Sequence, residues 1–222
     1  MEITWLGHSC FRLKGSHGIV ITDPYPPELG YVLGKPAARI VTVSHQHFDH
    51  NFTQGIDGKP KIIDRPGEYE INDILILGMN TYHDDEKGAQ RGRNIIFVTQ
   101  IDDVSICHLG DLGHSLGAQQ IEELKPVDVL LLPVGGFTTL DAAAAVAVVR
   151  QLEPKYVIPM HYKTPALKGL ELDTVDKFLG EIGAGSIVAQ PKVMVTRSAM
   201  PETMQVVLLD YPQAAPSAPS AV

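Results

Sequence analysis

The stretch HQHFDH at residues 45–50 restricts this chain more than any other feature. It follows directly on Ile40–Ser44 (IVTVS), an apolar, β-branched run that reads as a buried strand. Three histidines and an aspartate, His45, His47, Asp49 and His50, therefore crowd one strand end. Side chains two apart on an extended segment point the same way, so His45 and His47 can grip one ion together, and a turn then redirects Asp49 and His50 to a neighbouring position. The plainer reading is a polar, histidine-rich surface loop, and a lone histidine would be read that way. Four ionisable groups in one short loop, however, leave polar atoms unpaired unless something joins them. Cys10 and Cys107 are the only cysteines, which excludes a disulfide framework and a four-thiolate zinc site. A metal must then be held by imidazole and carboxylate, a ligand set suited to Zn, Mn or Fe.

The rest of the chain supplies a scaffold for that loop. Short strands are expected at Glu2–Leu6, Cys10–Lys14, Gly18–Thr22, Lys61–Ile63, Tyr69–Ile71, Ile74–Leu77, Asn94–Gln100 and Val104–Cys107. Pro24–Ala38 is rich in proline and glycine and reads as a long loop. After Asp111 the texture alternates. Helices are expected at Gly117–Leu124, Leu140–Leu152 and Asp173–Ile182, and strands at Val127–Leu132, Lys155–Pro159, Ser186–Ala189 and Thr203–Leu209. A strand-rich first half followed by alternating strands and helices is the pattern of sheets covered by helices. Residues 1–210 read as one domain, and the Pro/Ala/Ser-rich stretch 211–222 as a disordered tail.

The formal net charge of −8 argues against nonspecific binding to nucleic acid or anionic lipid. The start of the chain lacks the long apolar run of a secretory signal, and no apolar stretch approaches the ~20 residues that span a bilayer. The expected setting is the cytoplasm. No GxGxxG or P-loop motif occurs.

With these residues in place, the chain resembles the metallo-β-lactamase-fold hydrolases, whose signature is HxHxDH after a strand. More narrowly it resembles uncharacterised metal-dependent hydrolases related to ascorbate-6-phosphate lactonase. The stretches that carry the likeness are ITWLGHSCFRL, ITDPY, VSHQHFDH, RPGEYEI, the YHDD segment, HLGDLGH and VIPMHY, spread from residue 3 to residue 162. The resemblance implies an α+β fold, an αββα four-layer sandwich of two β-rich halves, with two divalent metal ions in a cleft at one end. Zn is the first expectation, and Mn or Fe are the alternatives. It further implies that His45, His47 and His83 hold the first ion, that Asp49, His50 and His161 hold the second, and that Asp111 bridges them. From the residues alone, the lesser alternatives are that His83 is an exposed loop residue and Asp111 a cap before a helix. Both Asp111 and His161 nevertheless end strands, where a ligand is easily aimed.

Other residues are expected around this set. Asp23 is either a carboxylate that fixes a ligand imidazole or the first residue of an Asp-Pro turn. His8 is expected to contact the substrate or a ligand, and with Asp49 and Asp111 it makes up the expected catalytic group. His108 and His114 flank Asp111 without matching a ligand position, His17 reads as a surface residue, and Glu68 as a structural partner. Pro24–Lys35 and Gly135–Thr139 are expected to shape the pocket.

The implied chemistry is attack by a metal-activated hydroxide on a small ester, lactone or phosphoester. A nuclease would use the same clamp, but the RNA-gripping basic arm of relatives that process RNA has no counterpart here. A di-iron redox protein or a binding module is the third class, and 222 residues leave no room for a flavin domain beside this fold. The HTPGHT-like motif of thiolesterase and lactamase relatives is absent, and the bridging position holds Asp111 where one group of zinc β-lactamases has a cysteine. A small-molecule substrate, with neither nucleic acid nor membrane as partner, is the expectation. Oligomeric state stays open.

Overall fold

The computed structural model describes residues 1–213. Its strands form two facing sheets. In the first sheet, β1 (Glu2–Gly7), β2 (Cys10–Gly15), β3 (Gly18–Thr22), β4 (Ile40–Thr42), β5 (Lys61–Ile63) and β12 (Val193–Met194) run in the order β12-β1-β2-β3-β4-β5. In the second, β6 (Gly67–Ile71), β7 (Ile74–Tyr82), β8 (Arg93–Ile101), β9 (Val104–His108), β10 (Val129–Pro133), β11 (Tyr156–Met160) and β13 (Gln205–Val206) run in the order β13-β11-β10-β9-β8-β7-β6. Hairpins make β6 to β9 antiparallel, whereas β9, β10, β11 and β13 are parallel.

Period-two alternation sorts the first sheet's side chains between two cores. Ile3, Trp5, Phe11, Leu13, Val20 and Ile40 face the second sheet, while Leu6, Cys10, Ile21, Val41 and Val43 face outward into a smaller cluster. β10 shows no alternation. It lies between two parallel neighbours with apolar packing on both faces, so all its residues are buried. Each fully buried leucine there contributes on the order of 2 kcal/mol.

The architecture is the expected α/β sandwich, with unequal outer layers. Among the described residues the α-helices, α1 (Ala118–Leu124), α2 (Ala142–Leu152) and α3 (Val175–Ile182), all belong to the second half. α2 packs through Ala142, Ala145, Val146 and Val149, and the Asp141 carboxylate caps it by accepting the Ala144 N–H at 2.8 Å. The outer face of the first sheet is covered instead by the loop after β3, with a 3-10 turn at Pro27–Leu29, together with Leu167 and Leu172. Tyr25, Leu29 and Tyr31 are buried there. Much of the segment Pro24–Lys35 therefore acts as a hydrophobic cover, because its aromatic and aliphatic residues have an apolar sheet face to bury.

Several elements differ from expectation in their bounds. β7 and β8 run on to Tyr82 and back from Arg93, since Asn80 and Tyr82 occupy outward positions and hide the alternation. Ser186–Ala189 is extended but unpaired with any strand, with Val188 91% exposed, and only Gln190 bridges to Leu209. The expected strand Thr203–Leu209 shrinks to Gln205–Val206. Tyr211 lays its ring edge-on against Trp5 and Tyr31, and the tail from residue 214 lies outside the described residues.

The decisive consequence is positional. The C-terminal ends of β1, β3, β4, β7, β9 and β11 lie together, and the residues that follow them are His8, Asp23, His45, His83, Asp111 and His161. Hydrogen bonds stitch the sheets at this end: His161 N–H to His8 O at 3.1 Å, Ile95 N–H to Ser44 O at 2.9 Å, and His108 Nε2–H to Ser9 O at 2.8 Å. No helix among the described residues is long and apolar enough to cross a membrane.

Candidate metal centre

Three of these strands deliver their side chains by an abrupt change of backbone direction. His8, Asp23 and His161 have φ of 53°, 36° and 52°, a left-handed conformation uncommon for residues with a Cβ. Such reversals fold the side chain back over the strand end and towards a common centre.

Two groups of ligand atoms result. His45, His47 and His83 offer one set, and His8, Asp49, His50 and His161 the other, each with its atoms within 4.8 Å of one another. Asp111 lies between them. Its Oδ2 is 3.2 Å from His83 Nε2 in the first group, and 3.2 Å and 3.3 Å from His161 Nε2 and His50 Nε2 in the second. His45 Nε2 is 3.9 Å away. All seven residues with expected ligand roles are therefore brought together, and only His47 among them is exposed.

Asp23 orders the histidines from beneath. Its carboxylate accepts the Ser44 N–H at 2.7 Å, the Ser44 hydroxyl at 2.5 Å and His50 Nδ1–H at 2.9 Å. Ser44 Oγ in turn accepts His45 Nδ1–H at 2.9 Å. Both imidazoles are thereby held by Nδ1–H with Nε2 facing the centre. The structure thus places Asp23 in the orienting role, and Ser44 extends its reach to a second histidine.

His8 is fully buried, and its Nε2 lies 3.1 Å from Asp49 Oδ2. Its carbonyl accepts both Trp5 Nε1–H and the His161 N–H, so one turn anchors three elements. His108 is also buried but bonds only to backbone, donating to Ser9 O and accepting the Gly110 N–H. His114 accepts the Tyr82 N–H and donates to Ser115 O. Both histidines shape the loops around the centre. His17 pairs with Asp73 at the far end of the sheets, and Glu68 lies exposed on β6.

The electrostatics suit cation binding. Burial pushes His8 down to about 4 and His45 down to about 3, and it lowers His47 as well, so these imidazoles are neutral near pH 7 with lone pairs available. Burial works against ionising Asp49 and Asp111, yet the neighbouring histidines outweigh it and hold both below the usual carboxylate range. His50 is raised because Asp111, Asp23 and Asp49 together overcome its burial. The donor set also contains buried polar atoms without a hydrogen-bond partner among the described residues, including Asp111 Oδ1 and His50 Nε2. Unpaired ligand atoms and several imidazole nitrogens gathered around shared carboxylates in one buried cluster fit metal ions.

Several contributors gave no signal in the sequence reading. Asn94, fully buried at the head of β8, donates to Thr81 Oγ1 and Leu109 O and accepts the Asp111 N–H at 3.0 Å, which fixes the backbone of that carboxylate. Gly110, with φ of 57°, is required because a Cβ would strike Asn94 and Ser44. Close loop packing, more than approach to an ion, explains that glycine. Asp84, next to His83, accepts four backbone N–H groups, from Glu86, Gly88, Gln90 and Arg91, at 2.7–3.0 Å. Those bonds, working against burial, lower its pKa. A polar residue opening an apolar strand (Asn94) and a DD pair before a glycine-containing loop were the available cues.

The expected pocket walls are partly replaced. Gly135 packs directly on the His161 carbonyl, so Gly135–Thr139 does border the centre. A cavity beside His45 and His47 is lined from other segments, residues 44–47, 64–66, 80, 91–93 and 95.

The beta-lactamase superfamily domain profile matches residues 2–161, a span containing every candidate ligand. A UPF0173 metal-dependent hydrolase of Methanoculleus marisnigri is 34% identical over 194 residues, covering 76% of this chain and 84% of its own length. One from Methanoregula boonei is 33% identical over 187 residues, with 74% and 83% covered. Among solved structures, a candidate Zn-dependent hydrolase of the metallo-β-lactamase superfamily from Thermotoga maritima superposes with a TM-score of 0.77 at 37% identity, over 95% of this chain and 99% of that one. The chain therefore belongs to the beta-lactamase superfamily and, within it, to the UPF0173 metal-dependent hydrolases.

Proposed function

We propose that this protein hydrolyses a small ester, lactone or phosphoester at a dinuclear centre. His45, His47 and His83 would hold one ion and Asp49, His50 and His161 the other, with Asp111 shared. The observation that carries this reading is the convergence of imidazole nitrogens from both groups on Asp111 Oδ2. Two divalent cations, with Zn first in expectation and Mn or Fe as alternatives, supply Lewis acidity and bring the pKa of a water close to 7.

The chain's own residues set the conditions for that chemistry. Asp23 and Ser44 hold His50 and His45 in the ligating tautomer. His8, neutral at pH 7, donates an N–H to Asp49 and keeps that carboxylate aligned without adding charge. Burial of His8, His50, His83, Asp111 and His161 excludes bulk water from the centre, which strengthens every electrostatic contact within it. Access is then from the side of His47, the exposed member of the cluster.

Metal analysis of protein purified without chelator tests the proposal together with hydrolysis assays. Two equivalents per chain are expected, and saturation at one would reject the dinuclear centre. Chelation should abolish hydrolysis and lower the melting temperature, because ions that bind only the folded chain stabilise it. Hydrolysis persisting after verified metal removal would reject the metal-dependent reading altogether.

A further inference from the structure

The cavity beside the centre has a chemical character that the net charge conceals. It is an open cavity of about 620 Å³ lined by His45 and His47 together with Arg65, Arg91 and Arg93, with Asp64 as the one carboxylate in its wall. None of the three guanidinium groups has an ion-pair partner among the described residues, a state shared by Arg39 and Arg150, while Arg12 and Arg197 are paired; what sets the three apart is that they line one cavity. The wall thus carries three positive charges against one negative in a chain whose formal net charge is −8. Arginines without ion-pair partners gathered in one cavity wall have the charge and the donor forks that select carboxylate or phosphate oxygens.

The arginines are held in place from below. Arg91 and Arg93 flank Gly92, whose carbonyl accepts the His83 N–H at 3.1 Å. The Arg91 N–H itself donates to Asp84 at 2.7 Å. Arg93 opens β8 opposite Tyr82, the last residue of β7 before His83. Arg65 reaches the same wall from the loop after β5. Two of the three cations are therefore built on the same hairpin end that presents a candidate metal ligand, so their distance from the centre is fixed by the sheet.

We propose that this wall binds an oxyanionic group carried by the substrate at a distance from the bond that is cleaved. The substrate class is then a small anionic ester, lactone or phosphoester, with its charged end at Arg65, Arg91 and Arg93 and its reacting group at the histidines. This inference rests on the hydrolase reading for its second half only, since anion binding by the wall stands independently of turnover.

The test compares 4-nitrophenyl hexanoate with the mono-4-nitrophenyl ester of adipic acid, which differs by a terminal carboxylate on an acyl chain of equal length. With the metal-loaded protein at low salt, kcat/KM for the adipate ester should exceed that for the hexanoate by about tenfold, the effect of charge-assisted hydrogen bonds to one anion. The ratio should fall towards one in the R91Q/R93Q double variant, with metal content and melting temperature measured on the same samples. Calorimetric titration with adipate itself should show binding that the double variant weakens by a similar factor. A ratio near one in the unaltered protein, or a ratio that the double variant leaves unmoved, would overturn the anion wall while continued turnover preserved the hydrolase. Adipate binding lost in the variant, with neither ester hydrolysed, would sustain the wall and count against ester hydrolysis. A single-stranded RNA oligonucleotide that inhibited far more strongly than adipate, and only while the arginines were present, would overturn the small-substrate assignment.

Discussion

At one end of the sandwich the β6–β7 and β8–β9 hairpins close through Asn72-Asp73 and Asp102-Asp103, four residues with φ between 52° and 60°. Two-residue turns of this hand match the twist of the strands they join. Their carboxylates stay near solvent, where Asp73 meets His17 and Asp102 accepts the Ser16 N–H at 3.1 Å. At the other end the same left-handed backbone recurs at His8, Asp23 and His161, and there the side chains are buried. The local device is shared by both ends. What differs is the partner: water and short contacts at the turn end, and a cluster of ligand atoms from six strand ends at the other. A positive φ at a polar residue therefore points to chemistry only when several such residues face one another.

That contrast can be broken by substitution. The largest effect is expected from Asp111→Asn, which keeps the side-chain size and removes the shared charge. Activity should fall at least ~100-fold with the fold intact, while His17→Ala at the turn end leaves it within about twofold. Equal losses would erase the distinction between the ends. Asp23→Asn should weaken metal binding by about 10–100-fold, as loss of a ligand-orienting carboxylate does elsewhere. A competitive chelator titration measures it, and unchanged affinity would mean that Ser44 and His50 hold their positions unaided. Asp84→Asn should leave metal content unaltered yet lower kcat/KM for the anionic ester by roughly 3–10-fold, as the backbone bonds beneath Arg91 weaken. Faster amide exchange at Glu86, Gly88, Gln90 and Arg91 is the accompanying sign, and undisturbed exchange would contradict the clamp.

The smallest effect belongs to the turn end. Burial acts to raise the Asp102 pKa, but the Ser16 hydroxyl and N–H and the chain's amino terminus lower it overall. A carboxylate with a depressed folded value stabilises fully above its ordinary value of 3.8 and loses that contribution as pH falls through the folded one. The melting-temperature gap between the wild type and Asp102→Asn should thus be present at pH 6 and close below pH 4. Screening by solvent keeps it small at this partly exposed site. A gap independent of pH would show that the contact does not depend on charge.

Much of this organisation was legible in the residues. IVTVS running into HQHFDH pointed to the candidate centre because the strand and four of the candidate ligands are contiguous in the chain. VDVLLL gave a buried parallel strand for the same reason: its burial is recorded in its own composition. The pairing of Gln205–Val206 with β11, and the absence of a strand at Ser186–Ala189, depend on which neighbour offers free backbone groups, and that is decided by the assembled sheet. The arginine wall was hidden for a related reason. Arg91 and Arg93 sit close to acidic residues in sequence, and only the fold brings them into one cavity with Arg65. Likewise the segment Pro24–Lys35 carried loop composition, but its aromatic residues had a sheet face to cover that no local pattern announces.

The Asp84 clamp has a consequence for how this protein can change over evolutionary time. It grips amides, so it places almost no demand on the side chains of the loop it shapes. Proline is barred where an N–H is needed, and Gly88 is fixed by its φ of 82° and by the Gly92 carbonyl close above it. The remaining positions from Asp85 to Arg91 can accept other residues without disturbing the hairpin beneath. A carboxylate kept at this one position would thus let descendants of this fold exchange the side chains of the loop while His83 stays where it is.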